Sequence, residues 1–374
     1  MAGALVTTNI LQTLVAMGLA SLRENCVMPR IVNREYEDEI VGSRRGSTVQ
    51  VAVPSAITAR AVTPDVVYPA TPAITPTSVS ITLSEWYEAP FIIDDKGFAQ
   101  CLAGVRPLQL QEAAKSMANQ IDTFLWSKYK DIYGYVGTAG TTPFASDLSA
   151  YLDARAIANK QLMPMDDRFC IIDEDAEANA LGLRAFQDAS FRGDTAGIIR
   201  GQIGEKLGAQ WAMSQNVPTH TVTGAGTVLV NDASVSVGDS TLTWDGGGTE
   251  PVSGDAFVVA GDTQTYTVKS ATATVITMEP TAQVAWADNA AVTFKGTGPQ
   301  NLLVHRDCIA FAMAPLASQG LADSGANVAV AIDEVSGLSL RLEVSRQYKQ
   351  TIFSFDSLYG ASVIRPELAV RIAG

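Results

Sequence analysis

The sequence predicts an α+β fold interrupted by an inserted all-β domain. Three observations carry this. Strand-period segments precede one long helical pattern, a helix–strand–helix order follows it over residues 147–190, and the composition changes abruptly near Thr219. From Leu207 to Val268 there is no Lys or Arg, and residues 219–298 are rich in Thr, Val, Ala, Gly and Asp.

The elements follow in order. Residues 1–42 form an N-terminal arm, in which Leu11, Leu14, Val15, Met17 and Leu22 suit one face of an amphipathic helix. Val49, Val51 and Val53 alternate in one strand; Val79, Ile81 and Leu83 alternate in another. Between them lie Pro54, Pro64, Pro69, Pro72 and Pro76 and no glycine, so residues 43–95 read as a long arm folded back on itself. Proline cannot donate to a sheet ladder, so such an arm resists casual edge pairing. Connections this long usually touch something outside their own domain.

Within 96–146, Leu110, Ala114, Met117, Ile121, Phe124, Leu125 and Tyr129 recur at helical spacing, with Pro107 suited to the first turn and Gly134 to the stop. The spacing predicts a helix of about 25 residues, some 37 Å long. Residues 147–218 and 299–334 read as two parts of one mixed domain, with Asp147 and Asp173 placed as helix N-caps. Six segments of 219–298 have strand character: "TVLV", "TLTW", "AFVVA", "QTYTVK", "ATVITM" and "AVTFK". Turn signals such as "DGGG", "SGD" and "AGD" separate them, which predicts a sandwich or barrel. Residues 335–374 supply closing strands, with Leu338, Leu340, Leu342 and Val344 alternating.

Of 374 residues, 17% are charged, and the net charge is −13. An acidic chain repels a phosphate backbone, which argues against sequence-reading nucleic-acid binding. Cys26, Cys101, Cys170 and Cys308 form no CxxC pair and have only His220 and His305 as possible imidazole partners, so a zinc site is not expected and buried reduced thiols are. The N-terminal stretch lacks a basic leader before Arg23 and is broken by Thr and Asn, so neither export nor membrane insertion is expected.

The eight residues "GQIGEKLG" at 201–208 invite a phosphate-loop reading. Their GxxGxxxG spacing fits neither the dinucleotide fingerprint nor the P-loop, whose Lys is followed by a hydroxyl residue. Gly201, Gly204 and Gly208 are therefore expected to permit positive φ, close packing or flexibility. No G-x-S-x-G elbow accompanies either histidine. The paired acids Asp94–Asp95, Asp166–Asp167 and Asp173–Glu177 read as caps and turns. No catalytic, cofactor or metal residues are expected. Arg44 and Arg45, in "GSRRGS" at the base of the arm, are a candidate contact with a neighbouring copy, equally readable as a solvated turn; Arg60, within the arm, is a further candidate.

This order of pieces resembles the major capsid (coat) protein of tailed double-stranded DNA bacteriophages, the HK97-type fold. "RLEVSRQYKQTIFSFDSLYG" with "VIRPELAV", "MPMDDRFCIID" and "GDAFVVAGDTQTYTVKSATATVITMEP" are similar to the enterobacterial podovirus-like branch, which carries an inserted β domain. The resemblance implies a non-enzymatic shell subunit. Residues 43–95 would be the extended loop over an adjacent copy, 107–133 the spine helix of the peripheral domain, and 147–218 with 299–334 the axial domain. It also implies pentamers and hexamers of this chain, and scaffolding, portal and decoration proteins as further partners. Packaged DNA would be held only non-specifically, in a virion assembled in the host cytoplasm. A tail-tube or other phage structural subunit, or a hydrolase with an adhesive β module, are the alternatives. On this reading, deleting residues 56–75 leaves a folded subunit, by circular dichroism, that fails to form shells or forms them weakly; shells of normal stability would remove the arm's assigned role.

Overall fold

The computed structural model describes residues 15, 17, 27–35, 48–53, 57, 59, 61–62, 76–96, 105–187, 201, 203–224, 226, 228–232, 234–314, 327–332 and 338–374. Arg44, Arg45, Arg60, Cys26 and Cys101 lie outside them, as do Leu11, Leu14 and Leu22 of the N-terminal pattern. Val15 and Met17 are both helical; Val15 is buried in the main core, but Met17 is half exposed, so it is not part of the packed face.

Strands β1 (Thr48–Val53) and β2 (Thr77–Thr82) pair antiparallel from Thr48↔Thr82 to Val53↔Thr77, forming the root of the arm. Their alternation turns Val49, Val51 and Ile81 inward, where they pack with Leu83, Ala310 and Ala312. Strand β3 (Glu85–Asp94) leads to helix α1 (Val105–Trp126), about 33 Å long and continued by a 3-10 turn over Ser127–Asp131. The buried stripe Ala114, Met117, Ile121, Leu125 and Tyr129 is the one the spacing predicts.

One position on that helix breaks the apolar pattern. Asp122 is buried, and four donors converge on it: the N–H groups of Val27 (3.3 Å) and Met28 (2.8 Å), Ser214 Oγ (3.3 Å) and Asn216 Nδ2 (3.0 Å). It ties the end of the N-terminal segment, the long helix and the approach to the inserted domain at one point. Removing such a carboxylate strands several donors, each at about 1–3 kcal/mol.

The next elements are β4 (Gly134–Gly137), α2 (Ser149–Lys160), β5 (Arg168–Ile172), α3 (Glu174–Gly182) and α4 (Arg184–Gln187). The helix expected after Asp173 is split at Leu183, which has extended backbone. The N-cap position of α2 is Leu148 rather than Asp147, which lies one residue before it; Asp147 Oδ1 accepts the Ser149 N–H at 2.9 Å. Asp173 stands at the N-cap position with extended backbone but no capping bond from its side chain; its own N–H donates to Asn301 Oδ1 at 2.6 Å.

Strands β6 (Glu205–Lys206), β7 (Ala209–Met213) and β8 (Thr219–His220) lead into the inserted domain. It contains β9 (Val228–Val230), β10 (Ser234–Val235), β11 (Thr241–Asp245), β12 (Ala256–Val259), β13 (Tyr266–Ala271), β14 (Val275–Glu279), β15 (Trp286–Ala287) and β16 (Ala291–Phe294). The six strand segments legible in the sequence close into an antiparallel barrel of order β11-β14-β13-β12-β16-β9. Closure leaves no free sheet edge. Its interior is filled by Phe257, Tyr266, Trp244, Trp286, Ile276 and Met278, with Val235 and Trp286 supplied by the short β10–β15 pair.

Strand β17 (Gly298–His305) leaves the barrel and pairs at once with β8, His220 opposite Gly298 and Thr219 opposite Pro299. The two chain crossings are thus adjacent, the geometry that lets a host fold accept an insertion. Beyond it come β18 (Ile309–Ala314), β19 (Asn327–Ile332), β20 (Ser339–Gln347), β21 (Gln350–Val363) and β22 (Ala369–Ala373).

Two sheets organise the host. One runs β4-β22-β17-β5-β7-β6, with β8 also on β17. It joins strands from 134–137 and 369–373 to those of the mixed domain, which the sequence places in separate segments. In the other, β21 is flanked by β3 on one side and by β18 and β20 on the other, with β19 outermost. The alternating leucines of β20 face the core, yet Arg341 between them is also buried, because Asp356 on β21 meets it with a two-pronged ion pair (Nε–Oδ1 2.7 Å). Gly360 lets the root of the arm cross β21, since a Cβ there would overlap the Thr82 carbonyl. The barrel's closed sheet and separate core predict that residues 219–298 fold when expressed alone. A β-type circular dichroism spectrum with cooperative melting is expected; a disordered spectrum would reject the boundary.

Candidate functional site

The glycine stretch at 201–208 has a local explanation. Gly201, Gly204 and Gly208 have φ of +66°, +72° and +77°, and Leu207 has +55°. Leu207 and Gly208 form the two-residue loop between β6 and β7, with Lys206 opposite Ala209. Positive φ at both central residues is the requirement of a type I′ hairpin turn. A Cβ at Gly201 or Gly204 would meet nothing within 4 Å, so their constraint is backbone conformation rather than space. The turn is fastened to α2: Leu207 O accepts from Tyr151 Oη (3.1 Å) and Arg155 Nη1 (2.8 Å). Trp211 anchors the far side, its N–H donating to Gly204 O and its Nε1 to Lys206 O, both at 3.1 Å. Its ring packs against Tyr151, Phe144 and Phe186 at 4.8–5.6 Å.

Beside this hairpin lies an open groove of about 330 Å³. Among the described residues it is lined by Ile172, Ile203, Trp211 and Met213, with Glu177 as its charged member and Gly201, Gly204 and Ala212 completing it. Burial raises the Glu177 carboxyl above the ordinary carboxylate range. A carboxylate in the lining is the opposite of what a phosphate needs.

The two histidines are both buried and bonded. His305 ends β17, and its Nδ1 accepts the Asp307 N–H at 3.2 Å. His220 lies between host and barrel: Nδ1 is 2.7 Å from Tyr129 Oη and Nε2 is 2.8 Å from Asp255 Oδ1. Asp255 also accepts the N–H groups of Gly224 (3.0 Å) and Val252 (3.1 Å). Tyr129, His220 and Asp255 are all buried, so this chain of hydrogen bonds presents no nucleophile to a substrate. Cys170 and Cys308 are buried free thiols, and burial raises both well above the usual thiol range, the inert state of a packed cysteine. Among the described residues no group of three His, Cys, Asp or Glu side chains converges as a metal site, and no helix is long and apolar enough to cross a membrane.

Arg371 on β22 completes the junction. It is fully buried; its Nη1 donates to Gly254 O (2.8 Å) and its Nη2 to Thr267 Oγ1 (2.5 Å), both on the barrel. Its guanidinium lies 6.0 Å from the Tyr129 ring centre and 5.6 Å from that of Tyr135. Burial pushes Arg371 down to about 10, partly offset by Tyr135, Tyr129, Asp255 and Asp131, so it stays charged at neutral pH. The sequence gives no sign of this cluster, because its members are separated by up to 242 positions (371 minus 129) and only their meeting makes it.

Asp255 gives the junction a pH dependence of definite sign. Burial pushes its carboxyl up, but the bonds from His220, Gly224 and Val252 outweigh this and hold it below the ordinary range. Its stabilising effect is therefore full above the unfolded value, roughly pH 4, and lost as pH falls through the folded value. The expected outcome is a wild-type melting temperature that drops more steeply below about pH 4 than that of Asp255→Asn. Parallel curves for the two proteins would reject the role of this carboxylate.

No protein-family model matches the chain, and no curated protein matches it. Among solved structures, it is similar to a chain from Mycobacterium phage Che8, at 16% identity over 92% of this chain and 90% of that one, with a TM-score of 0.54. It is also similar to a chain from the capsid structure of the Cyanophage P-SCSP1u, at 13% identity over 88% and 84%, with a TM-score of 0.51. At these identities the likeness is one of fold, and it spans nearly the whole of both chains: this protein has the HK97-type α+β architecture.

Proposed function

We propose that this chain is the major capsid protein of a tailed bacteriophage, assembling into pentamers and hexamers of an icosahedral head around double-stranded DNA. The observation that carries the reading is the fold shared, almost end to end, with a phage capsid subunit. The architecture supports it: a two-stranded arm root, a 22-residue helix as a strut and a self-contained barrel on the same host are parts for interlocking copies. Many small contacts between identical subunits add up through avidity without any one being strong. The role is structural rather than catalytic, and the tail-tube and hydrolase readings are not favoured.

In this assignment residues 1–42 are the N-terminal arm, 43–95 the extended loop over a neighbour, and 96–146 the strut of the peripheral domain. Residues 147–218 and 299–334 are the axial domain, 219–298 the inserted domain, and 335–374 the closing strands. Arg44, Arg45 and Arg60 contact a neighbouring copy. Gly201, Gly204 and Gly208 are positions where the axial region adapts to five- and six-fold rings, which one chain must build by head-to-tail contacts. The inserted barrel and the closing segment favour the podovirus-like branch. Scaffolding, portal and decoration proteins are the further partners, DNA is packaged without sequence-specific grip, and assembly takes place in the bacterial cytoplasm. Expression with its scaffold partner, if one is required, should yield closed shells in electron micrographs. Gly204→Val, which forces a β-branched residue to positive φ, should give aberrant or fewer particles. A chain that stays monomeric under all assembly conditions would overturn the reading.

A further inference from the structure

Three buried polar atoms lie on the sheet face that carries the barrel. Arg371 on β22 stands opposite Leu302 of β17 and beside Tyr135 of β4; two positions on, Ala373 stands opposite Gln300 and beside Gly137. Period-two alternation puts all six positions on one face. The barrel closes over it: Ala256 packs with Tyr135 and Ala373, and the half-buried Ala139 packs against them. Gln300 and Arg371 are fully buried and Tyr135 nearly so. Because Gly137 and Ala373 are short, the long side chains of Tyr135, Arg371 and Gln300 rise around Ala373.

Among the described residues, Arg371 Nε, Gln300 Oε1 and Tyr135 Oη have no hydrogen-bond partner. Native proteins rarely leave such atoms unpaired. The bonds made by the rest of each side chain fix what these atoms can offer. Arg371 uses Nη1 on Gly254 O and Nη2 on Thr267 Oγ1, so its Nε–H remains as a donor. Gln300 Nε2 donates to Gly298 O at 3.1 Å, which orients the amide and leaves Oε1 as an acceptor. The Tyr135 hydroxyl can do either. Burial pushes that hydroxyl up, while Arg371 and Gln300 pull it back down, so both lie beside it.

One donor, one acceptor and one hydroxyl of either sense are the set that a single water molecule satisfies. It accepts from Arg371 Nε, donates to Gln300 Oε1, and gives its second hydrogen or second lone pair to Tyr135. A buried water makes about three such bonds to otherwise unpaired groups. A metal ion would be opposed by Arg371 and by Lys295, whose Nζ lies 5.8 Å from the Tyr135 ring centre. An anion would face the lone pairs of Gln300 Oε1. We propose that one ordered water binds between Arg371 Nε, Gln300 Oε1 and Tyr135 Oη, bridging β22, β17 and β4 beneath the barrel. Arg371 then has hydrogen bonds to the host as well as to the barrel, which its contacts with the Tyr129 and Tyr135 rings do not supply.

The direct test is a structure of the full chain at a resolution that shows ordered solvent. One solvent peak is expected within hydrogen-bond distance of all three atoms. No peak there, or direct hydrogen bonds among the three atoms, overturns the proposal. An isosteric pair of variants gives a second measurement in solution. Ala373→Thr brings a hydroxyl to the site in place of the water, and Ala373→Val brings a methyl group of the same size. Any steric strain is common to both, so their difference reads the polarity of the site. The valine variant should melt roughly 1–4 °C below the threonine variant. A valine variant as stable as the threonine one, or more stable, also overturns the proposal.

Discussion

The buried guanidinium of Arg371 is the interaction on which the arrangement of host and barrel depends. A charge taken out of water costs several kcal/mol unless hydrogen bonds and nearby charge compensate it. Here compensation comes from two parts of the molecule at once. The barrel offers Gly254 O and Thr267 Oγ1, and the host offers the faces of Tyr129 and Tyr135. Thr267 in turn donates to Ile132 O at 3.2 Å, and Asp255 reaches back through His220 to Tyr129. Neither part could keep this cation buried without the other, so the barrel is fixed in one orientation although its core is separate.

That constraint explains how an inserted domain would serve the proposed assembly. A barrel hung on two flexible crossings would wander, and contacts made through it would lose their precision to entropy. Pairing of β8 with β17 fixes the crossings, and the Arg371 cluster fixes the tilt. Asp122 does the same about one turn before the end of the long helix, gathering the N-terminal segment and the Ser214–Asn216 approach. The chain is therefore a set of rigid pieces joined by buried polar ties.

How much of this was legible in the sequence depends on the range of the interaction. Period-two alternation gave β1 and β2, and residue composition with the turn signals between segments gave all six barrel strands. The 3.6-residue period gave the buried stripe of α1. What escaped were the buried polar residues: Asp122, Arg341 and Arg371 sit where composition predicts solvent, and their hydrogen-bond partners lie 15 to 117 positions away. Leu207 is a related case. The three glycines were recognisable as backbone permissions, but a leucine at positive φ in a hairpin turn was not, since Asn or Gly is the usual signal there. The sheet shared by 134–137, 369–373 and the mixed domain was likewise hidden, because no local pattern records which distant strand a strand pairs with.

The central claim is that one buried cation makes host and barrel a single cooperative unit, and scanning calorimetry of the full chain with Arg371→Met tests it most directly. The account predicts one unfolding transition for the wild-type subunit and two for the variant, one of them at the melting temperature of the isolated 219–298 domain. A variant that unfolds in a single transition at the wild-type temperature would contradict it.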